Sequence, residues 1–136
     1  MTQCSNKSDV KESYEEYLIN KVGVNPELLK QGKEKVKHWT KVDWDEYHYD
    51  TDCVTKEFVL ALKNNLPPKS KTVQNIVKKH FALVNIFWTP TKSSYIGLGQ
   101  MYKEYPDFEM FYAGYHPDLV EFLAKAMHIF AENELA

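Results

Sequence analysis

All six prolines of this 136-residue chain, Pro26, Pro67, Pro68, Pro90, Pro106 and Pro117, fall between segments whose apolar residues recur by threes and fours. Proline has no amide proton to give and its ring clashes with the preceding turn. It opens a helix well and breaks one elsewhere. The prolines therefore cut the chain into helix-length pieces, and no stretch alternates with period two for long enough to require a strand. The expected fold class is all-α.

The pieces have recognisable ends. A short helix is expected over 9–21, starting near Ser8 or Asp9 and stopping at Gly23. Asn25-Pro26 offers an N-cap followed by proline at the first helical position, and a charged helix with a thin apolar face runs on to Lys37. Thr40 with Asp43 resembles a capping box and starts a long helix carrying Trp44, Tyr47, Val54, Phe58 and Leu62, which Asn64-Asn65 and Pro67-Pro68 end. The next spans 70–87, with Val73, Ile76, Val77, His80, Val84 and Phe87 on one side. Helices over 92–104, from Pro106, and from His116-Pro117 follow; the last has the broadest apolar stripe, Leu119, Phe122, Leu123, Ala126, Ile129 and Phe130. The expectation is one domain over 1–136, with a compact helical core from residue 39 and a looser, weakly anchored and mobile helical arm over 1–38.

Two glycines interrupt an otherwise aromatic helix. Gly97 and Gly99 lie within Tyr95, Leu98, Met101, Tyr102 and Tyr105. Each costs about 1 kcal/mol relative to alanine in a helix interior. They mark a place where a ligand or another helix meets the backbone, and the flanking rings make them read as the floor of an apolar pocket.

Composition removes several function classes. The net charge is -2 with both signs mixed along the chain, so no basic stripe supports direct nucleic-acid binding. No run of 18 apolar residues and no signal peptide is present, so no membrane partner and a cytoplasmic location are expected. Cys4 and Cys53 have no paired spacing, which argues against a disulfide or a zinc site; Cys53 reads as a small core residue with nothing beside it to make a thiolate. GxSxG is absent, and the third glycine of GxGxxG would fall on Tyr102. Asp45 and Asp52 could share a helix face, but a solvated face explains them. No catalytic residue, metal or cofactor is expected, and the chain does not read as an enzyme.

What remains is a group of rings: Phe81, Phe87, Trp88, Tyr95, Tyr102, Tyr105, Phe108, Phe111, Tyr112 and Tyr115. They exceed what one core face per helix needs. His80 lies on the Val77/Val84 face and is either a core histidine held by one hydrogen bond or a polar anchor in a cleft. A reading as an axial haem ligand rests on the helical setting alone. A cleft of rings, a few hydroxyls and one histidine suits a rigid, mostly apolar small molecule.

The order of Thr40, Lys41, Val42, Asp43 and Trp44, the Pro67-Pro68 loop, His80, Tyr95, Leu98 to Tyr102, Phe108, and His116 to Leu123 followed by Ala126 resembles the TipAS antibiotic-recognition domains of MerR-type activators. The resemblance runs from about residue 25 to the end. It implies a globin-like helical bundle without haem, with a pliable N-terminal half and a central cleft for bulky antibiotics such as thiopeptides. Members that trap thiopeptides covalently use a cysteine just before the tyrosine of the glycine-containing helix; Pro90, Thr91 and Lys92 stand here, so capture at that point is non-covalent. The family's Asp and Arg after that helix are replaced within Tyr102 to Phe108. With no helix-turn-helix in these residues, a stand-alone effector-binding domain is expected.

The sequence thus predicts sensing or sequestration of a bulky apolar or cyclic-peptide-like ligand by a monomer, with Tyr47, Thr51, His80, Val84, Phe87, Trp88, Tyr95, Leu98 and Tyr102 as ligand-binding residues. The alternative is a helical interaction module or regulator subunit, its Gly97/Gly99 face receiving a helix from another chain.

Overall fold

The computed structural model describes residues 13–136; the expected helix start at Ser8 or Asp9, and Cys4, lie outside the described residues. Helix α1 (Tyr14–Tyr17) runs directly into a π-helical turn (Leu18–Val22). It is followed by α2 (Pro26–Val36), α3 (Lys41–Lys63), α4 (Lys71–Asn85), α5 (Lys92–Glu104), α6 (Pro106–Ala113) and α7 (Leu119–Glu134). Among the described residues there is no strand, and no helix is long and apolar enough to cross a membrane.

The ends form where capping chemistry predicts. Thr40 accepts from the Asp43 amide while the Asp43 side chain reaches back to the Thr40 amide; Thr91 and Ser94 repeat the arrangement at α5. Asn25 caps α2 ahead of Pro26, and Ser70 caps α4. Each such cap contributes about 1 kcal/mol. Gly23 stops the first segment in a left-handed conformation, φ 88°. The last helix opens at Leu119 rather than at Pro117, because residues 116–118 form a turn in which His116 Nδ1 accepts from the Asp118 amide at 3.0 Å.

The core lies between α4, α5 and α7, with Val73, Val77, Leu98, Met101, Leu119, Leu123 and Met127 fully buried, and Phe58 of α3 closing it from the side. Here the two glycines find their use. A Cβ on Gly99 would meet Ala124 Cα at 3.4 Å, and one on Gly97 would meet Val22 Cγ1 at 3.0 Å. Helix α7 and the π turn make the close approach. The glycines are neither a pocket floor nor a notch for a foreign helix, and the interaction-module reading loses its feature.

The arm is better anchored than its sequence suggests. Leu18 and Val24 are 1% and 3% exposed, Tyr17 is buried with its hydroxyl on Glu104 Oε1 at 2.8 Å, and Gly32 of α2 is buried. A Cβ at Gly32 would overlap the Phe87 carbonyl, so α2 rests on the backbone that follows α4. The π turn hides these anchors, because its wider winding takes Tyr17, Leu18 and Val22 out of the 3.6-residue period.

Helix α3 is unevenly held. None of Lys41–Asp50 is buried, whereas Val54, Thr55, Phe58 and Ala61 are. Its first three turns are fixed by rings: Trp44 stacks on Phe87 with centroids 6.1 Å apart and planes 16° apart, and Tyr47 meets the same Phe87 edge-on at 5.1 Å. Of the expected acidic pair, Asp45 faces Lys41 at 2.8 Å and Asp52 faces Lys56 at 3.0 Å, a solvated ion-paired face.

Candidate functional site

Between α3, α4, α5 and α6 lies a cavity of about 360 Å³. That is within the size range of small-molecule sites, which begins at about 300 Å³. Helix α3 contributes Tyr47, Thr51, Val54, Thr55 and Phe58. Helix α4 and the residues after it give His80, Leu83, Val84, Phe87 and Trp88, and α5 gives Leu98 and Tyr102. Helix α6 adds Phe108, Phe111 and Tyr112, while Tyr14, Leu119 and Leu123 complete the wall. Asp107 and the exposed His48 stand at its margin.

Eight of the nine residues expected at the site therefore line this cavity; Tyr95 does not. It is 0% exposed and packs edge-on against Phe81 and Phe130, deep between α4 and α7. Within the larger ring group Phe87, Trp88, Tyr102, Phe108, Phe111 and Tyr112 face the cavity, whereas Phe81, Tyr95, Tyr105 and Tyr115 serve packing elsewhere. The cavity is also lined by residues outside the expected set, among them Val54, Thr55, Phe58, Leu83, Phe108, Phe111 and Tyr112. Thr55 carries a periodicity signal, one turn beyond Thr51, that could have found it.

The polar groups are tied together. His80 Nδ1 lies 2.7 Å from the Tyr95 hydroxyl and Nε2 lies 3.0 Å from the Tyr102 hydroxyl. The Tyr102 and Tyr112 rings pack together, their centroids 5.0 Å apart and their planes tilted by 50°. Both ring nitrogens of His80 are thus occupied by hydroxyls, which overturns the axial-ligand reading. Burial lowers the His80 pKa to about 4, and burial raises those of Tyr95, Tyr102 and Tyr112. All four side chains are neutral near pH 7. On the opposite wall, Thr51 donates to the Tyr47 carbonyl at 2.9 Å and Thr55 to the Thr51 carbonyl at 2.7 Å, so both hydroxyl protons are engaged within α3.

A second hollow of about 520 Å³ lies under α2, lined by Leu18, Leu29, Gly32, Val36 and Trp44, with Lys33 and Lys37 at its edge. Tyr14, Phe87 and Trp88 line both hollows and separate them. Cys53 lines neither; it is half-buried on α3. Among the described residues no group of three or more His, Cys, Asp or Glu side chains could hold a metal ion.

This arrangement is an uncharged, ring-walled receptacle, and comparison with known proteins places it. A family model described as the TipAS antibiotic-recognition domain matches residues 10–130. The HTH-type transcriptional regulator SkgA of Caulobacter vibrioides, from strains NA1000 / CB15N and ATCC 19089 / CIP 103742 / CB 15, is 31% identical over 107 residues. That alignment covers 77% of this chain and 42% of the regulator, so the chain spans about two-fifths of the length of the curated relatives it matches. Among solved structures, TipAS of Streptomyces lividans in complex with nosiheptide, a thiopeptide antibiotic, superposes with a TM-score of 0.74 at 23% identity, covering 88% of this chain and 83% of that one. The helical fold is shared.

Proposed function

This chain belongs to the TipAS antibiotic-recognition domain family, and from that premise we propose that its central cavity captures a bulky, uncharged, mostly apolar antibiotic such as a thiopeptide without forming a covalent bond. The observation that carries the reading is the cavity between α3 and α6, whose walls are rings and hydroxyls and whose one interior titratable histidine is neutral. A charged ligand would forfeit hydration there with no counter-charge among the inner residues. Flat heteroaromatic rings suit it, because Phe87, Trp88, Phe108 and Tyr112 offer faces and edges for stacking.

Tyr47, Thr51, His80, Val84, Phe87, Trp88, Leu98 and Tyr102 are the proposed contacts, joined by Phe108 and Tyr112. The 360 Å³ hollow holds part of a large macrocycle; the remainder extends past Tyr14 and Phe87 into the hollow beneath α2. Binding serves sensing or sequestration inside the cell and no catalysis, in keeping with a family of ligand-binding regulatory domains. The transcription-regulator relatives favour sensing.

The test is a thermal-unfolding scan with nosiheptide and a panel of other thiopeptides. A ligand present at a hundred times its Kd should stabilise the fold by about 2.7 kcal/mol, a shift of several degrees. A scan in which no thiopeptide moves the transition would count against the reading.

A further inference from the structure

We propose that the outer face of α3 is a self-association surface, on which a second copy of this chain pairs antiparallel along the same helix. The pairing goes beyond ligand capture and does not rest on it.

The face is laid out as a seam. Val42, Glu46, Tyr49, Cys53, Lys56 and Leu60 follow one another at alternating steps of four and three, the repeat along which helices pair. A helix turns by about 100° per residue, so Val42, Tyr49, Cys53 and Leu60 lie within about 20° of one line. The inner face of α3 buries Val54, Thr55, Phe58 and Ala61, whereas Val42, Tyr49 and Leu60 on this line are 65%, 69% and 62% exposed. They are three of the six large apolar side chains exposed among the described residues, and one helix aligns them. Scattered exposed apolar residues need no explanation, but an aligned set calls for a partner.

The order of the residues names the occupant. Turned antiparallel about a twofold axis at Thr51, the seam is its own complement. Val42 meets Leu60 of the second copy, Tyr49 meets Cys53 and Glu46 meets Lys56, and symmetry makes each contact twice. A parallel pair would instead set Glu46 on Glu46 and Lys56 on Lys56. The surface is shaped for the antiparallel arrangement: Val42, Asp45, Glu46, Tyr49 and Asp50 line a shallow hollow at the level where the second copy's Lys56 arrives. The lysine stem lies between Val42 and Tyr49, and its ammonium reaches Glu46 and Asp50, which have no basic partner among the described residues. Lys56 already holds its own Asp52 at 3.0 Å, but its side chain is 69% exposed and an ammonium has three protons to give. A charged pair within a seam fixes direction and register at a cost in stability. Repulsion between the two Asp50 carboxylates beside the axis lowers the affinity further, so the dimer is weak and reversible.

Sedimentation equilibrium of the full chain decides it, run from about 1 μM to about 1 mM, where weak interfaces associate. The mass should rise from one chain towards two, and Leu60→Lys should stay monomeric. Glu46→Lys and Lys56→Glu should each raise the dimer Kd about tenfold, since each places like charges together twice. The two combined should return the Kd close to wild type, because the pair re-forms with its signs exchanged. All three positions are exposed, and thermal unfolding should confirm that the variants keep the fold. A single-chain mass across the whole range overturns the proposal. So does a dimer that persists in Leu60→Lys, which would pair through another face, or a charge exchange that brings no rescue. None of these outcomes touches thiopeptide capture, which the unfolding scan with nosiheptide decides by itself.

Discussion

Gly32 of α2 lies against the main-chain carbonyl of Phe87, so closely that a single methyl group in place of its hydrogen would overlap that oxygen. The same Phe87 turns its ring to Trp44 and Tyr47 of α3 and lines both hollows. The fit of the arm and the wall of the site thus depend on one residue after α4.

Gly32→Ala should accordingly lift α2. The obstacle is backbone, which cannot rotate away, and overpacking of this kind costs about 1–3 kcal/mol. The urea midpoint should fall, and α2 amides should exchange faster with solvent than those of α5 and α7. Unchanged exchange over 26–36 would show that α2 is held by something other than this contact.

Tyr95 is a structural residue, and two substitutions separate its packing from its hydroxyl. Tyr95→Ala should cost about 3–5 kcal/mol, the range for emptying a large buried ring site. Tyr95→Phe should cost about 1–3 kcal/mol, because it leaves His80 Nδ1 buried and unmet. Equal losses in urea unfolding would mean that the ring is not packed as described.

Stability should depend on pH through His80. Its folded pKa is depressed to about 4 from 6.5, so the unfolded chain takes up a proton that the folded chain refuses. The stabilisation is complete above pH 6.5, is lost progressively as pH falls towards 4, and is constant below that. The full difference is roughly 3 kcal/mol. Unfolding free energies at pH 7, 6 and 5 should show this slope in the wild type and a flatter one in His80→Gln. A slope that survives the substitution belongs to other groups.

Filling the cavity should abolish capture and spare the fold. Val84 is half-buried on α4 and faces the hollow, so Val84→Phe puts added volume into empty space. Nosiheptide affinity should drop tenfold or more, about 1.4 kcal/mol, while the melting temperature stays within a few degrees of wild type. Retained affinity would place the ligand outside this hollow.

Much of this architecture is legible in the sequence. The caps at Asn25, Thr40, Ser70 and Thr91 fix helix starts by local chemistry alone, and the prolines fix the breaks. Eight of the nine expected residues line the cavity wall, and Tyr47, His80, Val84 and Phe87 among them lie on faces that helical periodicity marks. Periodicity failed at Tyr95 for a geometric reason: Tyr95 and Tyr102 are two turns apart on nearly the same stripe of α5, but the hollow covers only the end with Leu98 and Tyr102. A stripe says which side of a helix is inside, not what lies opposite each level. Gly32 was illegible for a related reason. Nothing in a charged helix with a thin apolar face announces that a carbonyl sits where its side chain would be. Gly97 and Gly99 announced a close approach correctly, and only the visitor was misjudged.

The partition between the two hollows consists of side chains from Tyr14, Phe87 and Trp88. A screen of three rings can be opened, narrowed or moved by changing a rotamer or replacing a residue, with every helix left in register. The range of molecules admitted is thereby uncoupled from the scaffold that admits them. Descendants of this chain can exchange one cargo for another by rebuilding an interior door, without re-earning their fold.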